Sequence, residues 1–300
     1  MIAFGVALTD VDQYEECAAK GIEFCREPDS KTMVYDSAGS IFRNYNLILD
    51  DAAKIEGLET IVLIHQDAEI TDPDFIPKVR AALAEHDDVA IVGCAGAVGV
   101  RNIAWWEGSV TWASFTHRYK EMGGGEVPAV SWLKEDTAPY ARLGEVDSVD
   151  GFVMAFSPWA IQNLRFDESV GTKLHGYDFD ICMQARQAGK KIVTADLKVV
   201  HHHSLNLVSD ADSWIAAHVR LSEKWDEQLP PIYGEPMSWE ARARRSEAET
   251  SSARMIGATS DLLYEARNKM LVSEIDELKG SLSWRITRPL RWLGSLRRRG

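Results

Sequence analysis

The chain has 300 residues, of which 45% are hydrophobic and 26% charged, so it can bury a substantial core and is not expected to be disordered. A net charge of −13 at pH 7 argues against a protein that binds nucleic acid through bulk positive charge. The four cysteines lack zinc-finger spacing, and the first residues lack the basic start of a signal peptide. We therefore expect a cytoplasmic protein with reduced thiols.

Strands and helices alternate along the first part of the chain. Short apolar runs predict strands at residues 2–8, 32–35, 59–64 and 89–93. Helical spacing of apolar residues predicts helices at residues 13–20, 40–54 and 74–85. This order predicts an α/β fold with a mostly parallel central sheet flanked by helices.

The pattern is interrupted at residues 101–145, which are rich in Trp, Gly and charged residues. We expect long binding loops there, or an antiparallel insert over the sheet edge. The alternation then resumes. It predicts strands at residues 146–156, 191–194 and 198–200, and helices at residues 176–188 and 209–227.

A Pro-Pro pair after Leu229 marks a boundary. Beyond it, residues 238–279 predict one charged helix or two, with an apolar face on which Leu271, Ile275, Leu278 and Leu282 repeat. We therefore divide the chain into three parts. They are a domain at residues 1–229, a helical extension at residues 230–280 and a basic amphipathic tail at residues 281–300.

His65, Gln66 and Asp67 directly follow the apolar strand predicted at residues 59–64. Ligands of parallel sheets bind beyond the carboxyl ends of the strands, so these side chains are expected to face a crevice. Asp67 could hold a divalent cation there, and the cation a diphosphate. The alternative is that Asp67 and Glu69 only cap the turn that follows.

Asp178 and Asp180 open the helix predicted at residues 176–188. Carboxylates are stabilised at a helix N-terminus by the macrodipole, which would account for both residues without a function. The functional interpretation is that one of them is a general base at a helix tip that faces the crevice.

Three consecutive histidines, residues 201–203, follow the last short strand. In a strand-like segment His201 and His203 share one face and His202 points to the other. The cluster favours a contact to a metal or a phosphate. Asp150 and Gly151 end another apolar segment, where the acid is either exposed at a sheet edge or accepts hydrogen bonds from sugar hydroxyls.

Together these segments resemble the family 2 glycosyltransferases, which have the GT-A fold, over most of residues 1–205. His65, Gln66 and Asp67 look like the branch in which His-Gln-Asp replaces the Asp-x-Asp metal motif. The resemblance implies that Asp67 is a metal ligand and that Gln66 lies at the nucleotide-sugar. His65, in the place of the first aspartate, would contact the nucleotide or the metal.

The helix segment is similar to the part of the family that carries the catalytic base. Asp178 falls on the aspartate of a Glu-Asp pair, with Tyr177 in place of the glutamate, and Asp180 is the alternative base. The histidines look like the family's terminal metal or diphosphate contact. His201 is the best match and His203 the next.

Three further positions carry weaker implications of the resemblance. Asp150 and Gly151 match the acceptor-side segment. Asn46 lies on the helix that carries an Asn near the nucleotide, and Asp36, just past the second strand, would contact the base or ribose.

The function implied is that of an inverting transferase dependent on Mn²⁺ or Mg²⁺. It would move a hexose or deoxyhexose from a nucleotide-sugar to a hydroxyl of a glycan or lipid-linked acceptor, in the assembly of bacterial cell-surface polysaccharide. Two alternatives stay open. One is a nucleotide-sugar nucleotidyltransferase, and the other is a catalytically weak glycan-assembly scaffold that works through its C-terminal helix.

The tail at residues 281–300 holds six arginines and no acidic residue, together with Trp284 and Trp292. It resembles a C-terminal segment of bacterial glycan-assembly enzymes. Basic residues combined with Trp suit the surface of an anionic membrane, so we expect peripheral attachment to its inner face. The alternative is a helix that docks on the acidic body of the protein.

Overall fold

A computed structural model of the chain describes residues 1–36, 38–108, 110–119, 126–128, 144–203, 210–229, 238–288 and 291. The chain folds as two compact units, Met1–Pro231 and Ile232–Gly300. Among the described residues, no helix combines the length and the apolar character that crossing a membrane requires.

The strands lie in the first unit. They are β1 (Ile2–Leu8), β2 (Lys31–Asp36), β3 (Thr60–Ile64), β4 (Ala68–Ile70), β5 (Val89–Gly93), β6 (Ala95–Val98), β7 (Val110–Ala113), β8 (Phe115–Tyr119), β9 (Glu126–Pro128), β10 (Glu145–Val146), β11 (Ser148–Val149), β12 (Val153–Phe156), β13 (Lys191–Thr194) and β14 (Val199–His203).

The helices occur in both units. The first unit has α1 (Val11–Glu16), α2 (Ala18–Cys25), α3 (Ile41–Ala52), α4 (Phe75–Ala84), α5 (Pro158–Asn163), α6 (Tyr177–Gln187) and α7 (Ala211–Trp225), and the second has α8 (Trp239–Gly280) and α9 (Leu282–Ile286).

The central sheet has seven strands in the order β10-β13-β5-β12-β3-β1-β2. Strands β2, β1, β3, β5 and β13 point in one direction, because β12 is antiparallel to both of its neighbours and β10 is antiparallel to β13. The α/β class with a mostly parallel sheet flanked by helices is therefore confirmed. Two smaller sheets, β11-β6-β7 and β4-β14-β8-β9, complete the first unit.

The core lies between the central sheet and its helices. Every residue of β3 is buried, and helix α3 covers the neighbouring strand β1 with Phe42, Tyr45 and Ile48. The approach is close: a Cβ atom at Gly5 would lie 2.6 Å from the Cγ2 atom of Ile48. This packing fixes the carboxyl end of β3, which leads into the candidate site.

The structure differs from the predicted elements in several places. The histidines at residues 201–203, expected after a strand, lie within β14, and β4, β6 and α5 are not among the predicted elements. The segment predicted as one strand, residues 146–156, forms β10, β11 and β12, and β11 belongs to a different sheet from the other two. The single helix predicted at residues 13–20 is two helices, which break at Cys17 with a backbone φ of −120° and ψ of −82°. Much of the predicted loop region, residues 120–125 and 129–143, lies outside the described residues.

Candidate functional site

The turn after β3 is held by backbone hydrogen bonds to Phe152, which precedes β12, and to His202 in β14. The amide of His65 donates to the carbonyl of Phe152 at 2.9 Å, and the amide of His202 donates to the carbonyl of Asp67 at 2.8 Å. Strand β4 then pairs with β14, which sets Ala68 opposite His201. Strand β14, which contains the three histidines, is distant from this turn in sequence, and these contacts bring the two together at the carboxyl end of β3.

His65, Asp67 and His201 form a cluster whose ligand atoms all lie within 4.8 Å of one another. The Oδ1 atom of Asp67 lies 3.7 Å from Nδ1 of His65 and 3.4 Å from Nε2 of His201. The ring of His201 is supported by Phe152, which stacks on it at a centroid distance of 4.4 Å. Sequence reasoning had placed His65 at the nucleotide or the metal, and the geometry places it among candidate metal ligands.

The pKa shifts in this cluster are set by burial and by the mutual charges of its three side chains. Burial raises the pKa of Asp67, but the two neighbouring histidines outweigh burial and hold that pKa well below its usual range. Burial lowers the pKa of His65, so its imidazole is neutral near pH 7. For His201 the charge of Asp67 outweighs burial and raises the pKa. A carboxylate with imidazole nitrogens is a donor set that divalent metal ions accept.

Tyr177, the first residue of α6, joins the cluster to the helix tip. Its hydroxyl oxygen lies 2.5 Å from Nε2 of His65, and its ring lies against the backbone of Gly151, where a Cβ atom would be 2.1 Å from that oxygen. Burial raises the pKa of Tyr177 well above its usual value, so the hydroxyl keeps its proton. Sequence reasoning noted Tyr177 only as a replacement for glutamate and missed this contact.

Asp178 lies next to Tyr177 and faces the acceptor-side segment. Its Oδ2 atom accepts a hydrogen bond of 3.1 Å from the amide of Gly151. Asp150 is held nearby by the indole of Trp105, which donates to its Oδ2 atom at 3.1 Å. Burial, and then the charge of Asp150, raise the pKa of Asp178 to about 7. A carboxylate with this pKa can accept a proton near neutral pH.

Asp180, the alternative base, is fully buried between α6 and α7. The indole of Trp225 donates to its Oδ1 atom at 2.8 Å, the ammonium of Lys224 lies 2.7 Å away, and Gln184 donates to its Oδ2 atom at 2.7 Å. These contacts give Asp180 a structural role. Asp178 is therefore the stronger candidate for the base.

The other residues expected at the nucleotide have different surroundings. Gln66 accepts hydrogen bonds from the amides of Thr9 and Asp10, at 2.7 and 2.9 Å, and so shapes the loop after β1. The amide of Asn46 is buried and bonds both backbone groups of Phe166, at 2.9 and 2.8 Å. Asp36 is exposed at the end of β2. Nucleotide contacts by Gln66, Asn46 and Asp36 stay predictions.

The histidine strand separates its side chains between two environments. His202 points away from the cluster, with its Nε2 atom 2.7 Å from Oε2 of Glu69 and 3.5 Å from Arg118. The side chain of His203 lies outside the described residues, so its predicted metal contact stays a prediction. His117, which sequence reasoning missed, pairs with His201 across β8 and β14. A prediction of strand β8 within residues 101–145 would have been needed to identify His117 from the sequence.

The chain matches the sequence profile described as "Glycosyltransferase like family" over residues 3–223. It is 28% identical over 204 residues to the streptomycin biosynthesis protein StrF of Streptomyces griseus, which covers 68% of this chain and 67% of that protein.

Two solved structures were also found to be similar. One is the mannosyltransferase PcManGT from Pyrobaculum calidifontis in complex with GDP-Man and Mn²⁺, with a TM-score of 0.46 and 14% identity over 95% of this chain and 82% of that one. The other is GalNAc-T7 with UDP, GalNAc and Mn²⁺, with a TM-score of 0.47 and 10% identity over 78% of this chain and 52% of that one.

Proposed function

The chain belongs to the glycosyltransferase-like family, and we propose that it is a metal-dependent, inverting glycosyltransferase that uses a nucleotide-sugar donor. The observation that carries the proposal is the placement of the His65–Asp67–His201 cluster. Tyr177 contacts this cluster, and Asp178 follows Tyr177 at the start of α6. A candidate cation site and a carboxylate able to accept a proton are thus linked through Tyr177, which supports a ligand site at this end of the sheet.

His65, Asp67 and His201 are the residues that would hold the cation. Their donor set and their spacing support a divalent cation, either Mn²⁺ or Mg²⁺. A divalent cation supplies positive charge that stabilises the diphosphate as a leaving group. The partly buried Asp67 carboxylate has a pKa well below the usual range, so it is ionised near pH 7 and could serve as an anionic ligand.

Asp178 is the proposed general base. It would accept the proton of the acceptor hydroxyl while the oxygen forms a bond to the anomeric carbon and the bond from that carbon to the diphosphate breaks. One displacement from the opposite side inverts the anomeric configuration. Gly151 and Asp150 line the same place, which supports the acceptor-side role expected of them.

The acceptor proposed is a glycan or a lipid-linked glycan in cell-surface polysaccharide assembly. The similarity to a streptomycin biosynthesis protein favours a second class, the hydroxyl of a small natural product. A panel of both acceptor classes, scored for the anomeric configuration of any product, distinguishes them. A product that retains the configuration of the donor would contradict the proposed single displacement.

Peripheral attachment to the inner face of a membrane is proposed through the tail. Leu282, Trp284 and Ile286 are exposed, and the guanidinium of Arg291 lies 3.7 Å over the ring of Trp284. Residues 289–290 and 292–300 of the tail lie outside the described residues. Deletion of residues 281–300 should abolish sedimentation with anionic vesicles, and unchanged sedimentation would contradict the attachment.

A donor panel is the experiment that tests the activity. The purified protein is incubated with Mn²⁺ and a set of UDP-, GDP- and dTDP-sugars, and release of nucleoside diphosphate is measured with and without EDTA. Slow hydrolysis of one donor, lost with EDTA and in Asp67→Ala, supports the proposal. Formation of nucleoside triphosphate and sugar 1-phosphate from a donor when inorganic diphosphate is added would indicate a nucleotidyltransferase instead. Nucleotide binding without turnover would favour a scaffold.

A further inference from the structure

Helix α8, of 42 residues, exposes large apolar side chains along its C-terminal half. Leu271, Ile275 and Leu278 are 44%, 45% and 62% exposed, and Tyr264 and Met270 are exposed as well. Long helices in water are stabilised mainly by covering an apolar face, so this surface is expected to be buried against a partner.

One face of this helix, which is apolar apart from Asn268, has the spacing of a coiled coil. Tyr264, Asn268, Leu271, Ile275 and Leu278 are separated by four, three, four and three residues, which is the a/d pattern of a heptad repeat. Leu271 and Leu278 fall on d and Ile275 on a, and this combination favours two parallel strands. Leu282, the next position in the repeat, lies beyond Ser281, where α8 ends.

We propose that α8 pairs with α8 of a second copy of this chain as a short, parallel, in-register coiled coil. Asn268 occupies an a position, so in a parallel dimer it lies opposite Asn268 of the second copy and the two amides can bond each other. In the corresponding antiparallel alignment Asn268 would face Leu271, which leaves a polar amide against an apolar side chain.

The flanking charges agree with the parallel arrangement. With Ile275 at a, Glu274 falls on g and Lys279 on e. In a parallel dimer, Glu274 of one copy faces Lys279 of the other, twice over by symmetry. The antiparallel alignment would instead bring Glu274 near Arg267. The two orientations therefore predict different charge partners, which mutations can separate.

The repeat is short. Towards the N-terminus the next seam positions are Asp261, Gly257 and Arg254, which supply no apolar contact. Dimerisation is therefore expected to depend on concentration. In a parallel dimer both copies of the tail, residues 281–300, leave from the same end of the coiled coil. Two tails on one particle would strengthen the proposed membrane attachment through avidity.

The first test compares two matched substitutions in the full chain. Sedimentation equilibrium should show a reversible monomer–dimer equilibrium, and Leu278→Ser should raise its dissociation constant about tenfold or more. Leu263→Ser is the control, because Leu263 is 66% exposed on the same helix but lies off the seam, and it should leave association unchanged. Circular dichroism checks that both variants keep their helical content.

The second test fixes the orientation. Glu274→Lys should weaken the dimer, and adding Lys279→Glu should restore it. Restoration by Arg267→Glu instead would overturn the parallel arrangement.

A chain that stays monomeric at all concentrations would overturn the proposal, as would dissociation caused by Leu263→Ser but not by Leu278→Ser. A monomer that loses vesicle binding on Leu278→Ser would assign the surface to a membrane. Donor hydrolysis, measured in the same variants, tests the proposed enzyme activity independently of dimerisation.

Discussion

The hydroxyl oxygen of Tyr177 lies 2.5 Å from Nε2 of His65, where the start of α6 meets the turn after β3. The resemblance to family 2 glycosyltransferases implies that both positions depart from the family's motifs, and the two residues contact each other. If Nδ1 of His65 binds a cation, Nε2 must carry the proton and donate it to Tyr177. Tyr177 would then hold His65 in the tautomer and orientation that metal binding needs.

Tyr177→Phe should weaken Mn²⁺ binding by about tenfold or more, because it removes the hydroxyl that orients His65 and keeps the ring. Isothermal titration with Mn²⁺ alone measures this without a donor sugar. Tyr45→Phe is a matched control: its hydroxyl is buried, and it has no hydrogen-bond partner among the described residues. Equal Mn²⁺ affinity in the two variants would contradict the role given to Tyr177.

Asp67→Asn should abolish the rise in melting temperature that Mn²⁺ produces in the wild-type protein, because it removes the carboxylate of the cluster. The control is Glu69→Gln. Glu69 bonds His202 on the other side of β14, so its loss should leave most of the shift in place. Thermal unfolding with and without EDTA checks both variants. A full Mn²⁺ shift in Asp67→Asn would place the cation elsewhere.

Much of the fold follows from local sequence pattern. Strands β3 and β5 are buried along their whole length, so they appear in the sequence as unbroken apolar runs. Strand β4 has three residues and is defined by its pairing with β14, more than a hundred residues away, so no local pattern reveals it. The division of residues 146–156 among three strands is likewise set by which sheet each part joins.

The candidate site, like the fold, was predictable where it depends on local sequence and not where it depends on tertiary contacts. In the sequence, Asp67 and His201 follow predicted strands and Asp178 opens a predicted helix, and these positions alone indicate a crevice. The contacts of Tyr177 and Trp105 depend on tertiary packing, because their partners lie 112 and 45 residues away in the chain. Burial likewise separates Asp178 from Asp180, which in the sequence only the resemblance to the family ranks.

Asp178→Asn should lower turnover, whereas Asp180→Asn should lower stability. Asp178→Asn removes the proposed base and should lower kcat by about 100-fold or more with the fold intact. Asp180→Asn removes a buried carboxylate that accepts hydrogen bonds from Trp225 and Gln184, while Lys224 keeps its ion pair with Asp167. It should cost about 1–3 kcal/mol of stability, while the folded fraction keeps its kcat. Turnover and urea unfolding, measured on both variants, distinguish the roles. Loss of kcat only in Asp180→Asn would reverse the assignment.

The raised pKa of Asp178 gives opposite pH dependences for activity and stability. A general base must be ionised, so kcat/KM should rise with pH through about 7 and then level off. The folded protein holds this proton more tightly than the unfolded chain does. The stability contributed by protonated Asp178 is therefore full below the ordinary pKa of aspartate and is lost as pH rises towards 7.

Asp178→Asn is the control for this prediction, since an amide does not titrate. Unfolding by urea is measured at a series of pH values from the ordinary pKa of aspartate to the raised pKa of Asp178, about 7. Over this range the free energy of unfolding should fall less in the variant than in the wild type. The same fall in both proteins would mean that other groups cause it. A kcat/KM profile that is flat through neutral pH would contradict the assignment of Asp178 as a base with a raised pKa.

Gly151→Ala tests whether the contact between Tyr177 and the acceptor-side backbone positions the site. The added Cβ would lie 2.1 Å from the hydroxyl oxygen of Tyr177 and 2.4 Å from Cζ, so the ring or the backbone must move. We expect a stability loss of about 1–3 kcal/mol, together with weaker Mn²⁺ binding, because His65 loses its partner when Tyr177 shifts. Gly257→Ala, within α8 and with nothing near its Cβ position, should be neutral or stabilising. Unfolding and Mn²⁺ titration of both variants decide the point: a Gly151→Ala protein that is destabilised but binds Mn²⁺ normally would show that the contact supports the fold and not the cation site.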